Sequence, residues 1–286
     1  MKLAFIGLGV MGFHMAGHLA AQSKNLFVFN RTRAKAEAWS EQFKGVVADS
    51  ARDACSKADI VFCCLGDDSD VEQIVLDREG ILEAMKTGAT LVDHTTTSAH
   101  LAENIYAAAK AKGIAFIDAP VSGGEAGAKN GTLTIMCGGD QAAFDRVTDL
   151  LAIYGSHAKL IGGPGSGQKA KMVNQICIAG VIQGLSEALR FGMKAGLDMA
   201  AVTDVISRGA AQSWQMDNRA STMIANEFEF GFAVDWMRKD LRICLEQARR
   251  VGATLPVTAI VDQFYADVQN EGGGRWDTSS LIKRLA

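Results

Sequence analysis

Lys171 is a charge set in a stretch that is otherwise apolar or small, and its spacing of three from Asn174 places both polar side chains on one helix face. A lysine on such a helix is costly unless it is paired or put to use. Desolvation and neighbouring cations lower a lysine's pKa, which makes it a better proton donor and acceptor near neutrality. The competing reading is a snorkelling residue on an exposed first turn, a description that suits Lys169 better. A second constellation, Ser122-Gly123-Gly124, has the makings of an anion cradle. Consecutive small residues expose their backbone N–H groups, and the serine hydroxyl adds a donor. A flexible turn leading into Ala126-Gly127-Ala128 explains it equally well.

The third constellation opens the chain. The apolar run Leu3-Ala4-Phe5-Ile6 leads into Gly7-Leu8-Gly9-Val10-Met11-Gly12. A strand entering G-x-G-x-x-G and then a helix turns tightly and presents backbone N–H groups and a helix N-terminus to a pyrophosphate. Among 30 glycines the motif alone is weak, and its flanks supply the specificity. Met11, Met15 and Leu19 recur at helical spacing, and Leu26-Phe27-Val28-Phe29 completes a β-α-β unit. Where an NAD-selective site places Asp or Glu on the ribose 2′-hydroxyl, this chain has Asn30-Arg31-Thr32. A carboxylate repels a 2′-phosphate, whereas a guanidinium binds it bidentately or stacks beside adenine. With Arg33 and Lys35 nearby, the expected cofactor is NADP in preference to NAD. The alternative is that Arg31 is a solvated turn residue.

Positioning these groups requires an ordered frame. From Met1 to about Leu160 short β-like runs alternate with helical stretches: after the first two come Ile60 to Leu65, Thr90 to Asp93, Ala115 to Asp118, Thr132 to Cys137 and Lys159 to Ile161. The pattern predicts an α/β fold with a doubly wound parallel sheet, whose ligands bind beyond the carboxyl ends of the strands. Leu65 then falls near a cofactor ribose. Thr95, Thr96, Thr97 and Ser98 offer hydroxyls to a nicotinamide ribose or amide, or an ordinary helix N-cap. After Gly162-Gly163-Pro164-Gly165 the pattern turns to long helical periodicity, so the domains are placed at 1–162 and 163–286. The stretch from about Gln168 to Ala195 reads as one helix, apolar enough to require burial on several sides. That predicts a helical second domain and a homo-oligomer.

Composition excludes other classes. With 286 residues, 48% hydrophobic, 21% charged and a net charge of -3, the chain suits two ordinary domains, and nothing suggests a nucleic-acid or polybasic membrane surface. No segment reaches membrane-spanning length free of charge, and Gly7, Gly9, Gly12 and His14 interrupt any signal-peptide core. The six cysteines show no C-x-x-C pairing and read as reduced core residues of a cytoplasmic protein; the five histidines show no metal-ligand spacing.

Four motifs together resemble the β-hydroxyacid dehydrogenase family over nearly the whole chain. They are Gly7-Leu8-Gly9-Val10-Met11-Gly12 with Met15-Ala16; Asp118-Ala119-Pro120-Val121-Ser122-Gly123-Gly124 through Gly127-Ala128 to Gly131-Thr132-Leu133; Gly165-x-Gly167-x-x-x-Lys171-x-x-Asn174; and Lys239-Asp240-Leu241. The resemblance implies a Rossmann domain joined by a long helix to an all-helical domain, with dimers or tetramers formed through the latter. It implies Lys171 as the catalytic acid–base, Ser122, Gly123 and Gly124 holding a small substrate's carboxylate, and Asn174 orienting that substrate. Thr96 and Lys239 would lie beside the nicotinamide end of the cofactor, although on charge pattern alone Lys239 is equally a surface residue. Asn30-Arg31-Thr32 is similar to the NADP-preferring glyoxylate and succinic semialdehyde reductases. The sequence departs from the family at Leu65-Gly66-Asp67 and Thr95-Thr96-Thr97. Two alternatives stand beside it: an imine reductase of the same architecture, which usually lacks this lysine, and a non-catalytic NADP-binding scaffold. Gln212-Ser213-Trp214-Gln215-Met216 and Phe228-Glu229-Phe230-Gly231-Phe232 are candidates for shaping the substrate pocket, with Phe230 and Phe232 equally plausible as core.

Overall fold

The structure, a computed structural model, describes residues 1–23 and 25–285. The chain divides into two compact units, Met1–Lys171 and Met172–Ala286. The first unit runs β1 (Leu3–Ile6), α1 (Val10–Gln22), β2 (Leu26–Phe29), α2 (Arg33–Gln42), β3 (Val46–Val47), α3 (Ala51–Ser56), β4 (Ile60–Cys63), α4 (Asp68–Val75) and β5 (Thr90–Asp93). It continues with α5 (Ala99–Ala111), β6 (Ala115–Asp118), β7 (Val121–Ser122), α6 (Gly124–Asn130), β8 (Leu133–Gly139), α7 (Gln141–Leu151) and β9 (Gly155–Gly162). Among the described residues nine strands form one sheet in the order β3-β2-β1-β4-β5-β6-β8-β7, with β9 also paired to β8.

The strands β1 to β6 are mutually parallel. Their apolar runs lack polar alternation because helices cover both faces of a parallel sheet. One face packs Phe5, Phe62, Trp39 and Tyr154, and the other packs Ile6, Val61, Leu91 and Phe116. The doubly wound expectation holds for this part. Beyond β6 the sheet departs from it: β8 runs antiparallel to both β6 and β7 and parallel to β9. The two-residue strands β3 and β7 escape a sequence reading, since two residues are too few to show a period.

His94 follows β5 and is fully enclosed, its ring stacked on Phe62. The Ala119 carbonyl at 2.7 Å accepts from Nδ1, so that nitrogen carries the proton, and Nε2 accepts from the Tyr154 hydroxyl at 2.9 Å. Burial pushes the His94 pKa down to about 4 and keeps the ring neutral.

The second unit is built from α8 (Ser166–Lys194, which begins in the first unit), α9 (Met199–Ile206), α10 (Trp214–Ala225), α11 (Val234–Val251), α12 (Pro256–Asn270) and two 3₁₀ turns. Ala179 and Ile182 of α8 pack with Val234, Met237 and Leu241 of α11 and Val261 and Tyr265 of α12. Leu185 and Leu189 pack with Met199, Met216 and Met223. By length and composition alone α8 could cross a bilayer, but this face is core. Burial on several sides is not what the single chain gives, however. Val173 (62% exposed), Cys177, Val181 and Phe191 (72% exposed) leave one face of α8 open, so Cys177 is a surface thiol while Cys55, Cys63, Cys137 and Cys244 are buried.

The sequence places the domain border near residue 163; the compact units part at 171/172, inside α8. The reason is local: the first turn of α8 is hydrogen-bonded into the strand ends of the first unit, as described below.

Candidate active site

Each glycine of the first loop has its own task. Gly7 sits at φ +97°, and a Cβ there would run into the Cys64 carbonyl. A Cβ on Gly12 would meet the Gly7 carbonyl and come within 3.0 Å of Phe5. Gly9 is different: its φ of -73° suits any residue and a Cβ would meet nothing within 4 Å. The space above Gly9 is therefore open, and the first turn of α1 points N–H groups without intrahelical acceptors at it. That combination fits a dinucleotide pyrophosphate. Leu8 is buried and Met11 packs into the core, so these two line the loop through backbone, whereas Val10 is exposed.

Asn30 at the end of β2 braces the same loop. Its Oδ1 accepts from Leu8 N at 2.9 Å, and its Nδ2 donates to the Thr32 carbonyl at 2.9 Å. Arg31 is 79% exposed, with Nη1 2.8 Å from Asp70 Oδ1, and Arg33 pairs with Glu37 and Asp49. Exposed pairs of this kind contribute little and exchange readily.

The loops after β4 and β5 are tied together. Leu65 N donates to Thr95 Oγ1 at 2.9 Å, and Ser98 N donates to Asp68 Oδ1 at 2.9 Å. Ser98 caps α5 by accepting from Leu101 N. Thr95 and Thr97 are buried, while Thr96 between them is partly exposed. Asp93 beneath this loop accepts from Thr95 N, and burial pushes its pKa up to about 7.

Asp118 ends β6 and is fully buried. Its Oδ1 accepts from Gly165 N at 2.8 Å and its Oδ2 from Gln168 N at 2.9 Å, so a carboxylate caps the N-terminus of α8. Burial raises its pKa to about 6, and the backbone N–H groups oppose that shift. A Cβ on Gly167 would collide with the Met136 carbonyl, so the approach of α8 to β6 and β8 depends on glycine. The Gln168 side chain is fully buried; its Nε2 donates to Thr95 O at 2.7 Å and its Oε1 accepts from Thr97 N at 3.0 Å. One turn later comes Lys171, 7% exposed, in contrast to Lys169, which is exposed and paired with Glu103. Ser122 closes β7 beside β8, and Gly123 (φ +127°) and Gly124 (φ +60°) follow it, exposed and in conformations that favour glycine. This segment connects β7 to α6.

Asn174 and Lys239 belong to the second unit, which links them. Asn174 Nδ2 donates to Gln175 Oε1 at 2.8 Å, and Gln175 Nε2 donates to Asp240 Oδ2 at 2.7 Å. The other Asp240 oxygen lies 3.2 Å from Lys239 Nζ, which also sits over the Trp236 ring at 5.6 Å. Trp214 and Phe230 flank Arg219, whose Nε donates to buried Asp277 at 3.2 Å. Phe228 is buried with Leu185 and Leu189, and Phe232 packs against the separate cluster around Val234 and Met237. Gln168 and Gln175 are absent from the residues that sequence reasoning singled out. Their only trace is a glutamine on an otherwise apolar helix, the kind of buried polar group that needs a partner.

The glycine loop and the parallel sheet define a Rossmann-type dinucleotide-binding domain, followed in the chain by a helical unit. Residues 2–163 match the family model described as the NAD binding domain of 6-phosphogluconate dehydrogenase. Residues 165–285 match the model described as NAD-binding of NADP-dependent 3-hydroxyisobutyrate dehydrogenase. The chain is 59% identical to an oxidoreductase of Shewanella frigidimarina (strain NCIMB 400), covering 99% of this chain and 98% of that one. It is 36% identical to the 2-hydroxy-3-oxopropionate reductase of Escherichia coli (strain K12), covering 100% and 97%. The structure of Mycobacterium tuberculosis 3-hydroxyisobutyrate dehydrogenase with L-serine superposes with a TM-score of 0.90 at 29% identity, covering 99% and 98%. The chain belongs to the β-hydroxyacid dehydrogenase family.

Proposed function

We propose that the protein reduces a small semialdehyde or 2-oxo acid, such as glyoxylate, succinic semialdehyde or 2-hydroxy-3-oxopropionate, with NADPH, Lys171 serving as the proton donor. The observation that carries this is the buried Lys171 on the turn of α8 that Asp118 and Gln168 fasten to the strand ends. A reduced nicotinamide, when bound, supplies hydride to a carbonyl carbon. The Lys171 ammonium then protonates the oxygen that becomes a hydroxyl, and in the reverse direction neutral Lys171 takes that proton. Ser122, Gly123 and Gly124 hold the substrate carboxylate through backbone N–H groups and a hydroxyl. Asn174, on the same face of α8, orients the substrate. Fixing the carboxylate and the proton donor relative to one another removes entropy from the barrier before the reaction begins.

Arg31 carries the preference for NADPH. Its guanidinium is exposed and exchanges Asp70 for a 2′-phosphate, and no carboxylate stands at the end of β2. Steady-state rates with NADPH and NADH against the three carbonyl acids and a cyclic imine test the whole reading. The expected result is a kcat/KM ratio favouring NADPH and an acid as substrate. Arg31→Met should lower that ratio by on the order of 10-fold, one charge-assisted hydrogen bond, without changing the NADH rate. Equal losses with both cofactors would remove Arg31 from the 2′-phosphate site, and turnover of the imine alone would favour the imine reductase alternative. Tight NADPH binding with no oxidation across the panel would leave a scaffold.

The open α8 face of Val173, Val181 and Phe191 supports a homodimer or homotetramer. Light scattering reads the mass directly, and a monomer at micromolar concentration would refute it.

A further inference from the structure

We infer that Gln168 is a positioning residue that sets the register of Lys171 against the Thr96 loop, an inference that rests on Lys171 being the proton donor. The amide reads the backbone on both sides of Thr96 at once, donating to Thr95 O at 2.7 Å and accepting from Thr97 N at 3.0 Å. Its own N–H is fixed by Asp118 at 2.9 Å. Only a primary amide of this length supplies one donor and one acceptor in that spacing: glutamate ionised lacks the donor, and methionine lacks both. All of these groups are buried, so none of the bonds has water as a ready substitute.

The geometric consequence falls on Lys171. It stands three residues after Gln168, so the two share one face of α8 about one turn apart. Sliding or rotating the start of α8 would break both amide bonds. Thr96 is held from the other side as well, because Thr95 Oγ1 accepts from Leu65 N and Ser98 N donates to Asp68. Removing the amide therefore frees the lysine-bearing turn to shift against the loop, while the helix start keeps Asp118 and the loop keeps Leu65 and Asp68.

Gln168→Met keeps the length and the apolar bulk and removes both hydrogen bonds. With NADPH and the best carbonyl acid of the panel, kcat is expected to fall on the order of 100-fold, the consequence of about an ångström of misplacement at a reacting centre. The Kd for NADP+ should stay within about 3-fold of wild type, because the loop keeps its other ties, and an affinity change smaller than that is under 1 kcal/mol-scale discrimination. The solvent deuterium isotope effect on kcat should rise above the wild-type value, as proton transfer becomes the slow step. A variant that merely loses folded protein would lower kcat in proportion to active sites and leave the isotope effect unchanged, which overturns the inference; so does a folded variant with wild-type kcat. If Gln168→Met does not fold, Gln168→Leu, which also removes both hydrogen bonds, carries the same expectations. Lys171→Ala separates the two levels. Retained turnover there removes the lysine assignment and this inference with it, whereas lost turnover there with wild-type kcat in the Gln168 variants removes this inference alone.

Discussion

Lys171→Ala is expected to lower kcat by about 10³-fold, equivalent to about 4 kcal/mol of transition-state stabilisation, while the Kd for NADP+ changes by less than about 3-fold. The asymmetry follows from position. Lys171 sits on the second turn of α8, a helix start held by Asp118 and Gln168, whereas the loop that fits the pyrophosphate lies between β1 and α1 and is braced by Asn30. Removing a buried ammonium leaves those braces intact. The proton must then come from a weaker acid such as water. Stopped-flow hydride transfer and fluorescence titration with NADP+ measure the two quantities separately. A variant with more than about a tenth of wild-type kcat would show that the proton comes from another group, since general acid catalysis contributes at least about 10²-fold where it operates. A parallel loss of cofactor affinity would mean that the lysine supports the fold of the site instead.

Gly9→Ala is expected to raise the Kd for NADP+ by 10-fold or more, on the order of 1.4 kcal/mol at least, and to leave the melting temperature nearly unchanged. The backbone of Gly9 is already in a conformation open to any residue, and its Cβ would meet no protein atom. The methyl group instead occupies the space through which a pyrophosphate approaches the first turn of α1. Gly7→Ala is the control with the opposite signature. Its φ of +97° and the Cys64 carbonyl make the substitution costly in the folded state, by about 1–3 kcal/mol, so melting falls first and binding follows. Differential scanning fluorimetry with and without NADP+ distinguishes them. A Gly9→Ala protein that is stabilised by NADP+ as strongly as wild type would take the cofactor away from this loop.

Much of the first unit was legible because its signals are local. Leu3–Ile6 is a continuous apolar run buried throughout, and Leu26–Phe29 is one whose Phe27 and Phe29 are partly covered, and strands of a parallel sheet show themselves that way. The helix start at Ser98 was one of the two readings of the Thr95–Ser98 stretch, and the long helix from about Gln168 is observed over Ser166–Lys194. The antiparallel β8 was not legible, since strand direction depends on which neighbour a segment pairs with, and an apolar run reads the same in either direction. Which face of α8 stays open in the single chain was not legible either, for a related reason. Apolar character tells that a face favours leaving water, and only the arrangement of α9 to α12 tells which faces this chain covers by itself.

The candidate site divides along the same line. The available chemistry is written along the chain: a glycine loop after a strand, a guanidinium in place of the ribose-reading carboxylate, a small-residue turn with a serine, and a lysine in an apolar helix. Those are properties of residue types at short spacings, which the chain fixes wherever it folds. Folding is what sets three glycines written alike apart, Gly7 by its left-handed backbone, Gly9 by the open space above it and Gly12 by its approach to the Gly7 carbonyl, and what makes Asn30 brace the loop while Arg31 stays exposed. It also decided that a glutamine at position 168 and an aspartate 50 residues earlier meet at the start of one helix. Contacts between residues so far apart in sequence exist only once the sheet has brought β5, β6 and the start of α8 together. No spacing along the chain encodes a distance that folding alone creates.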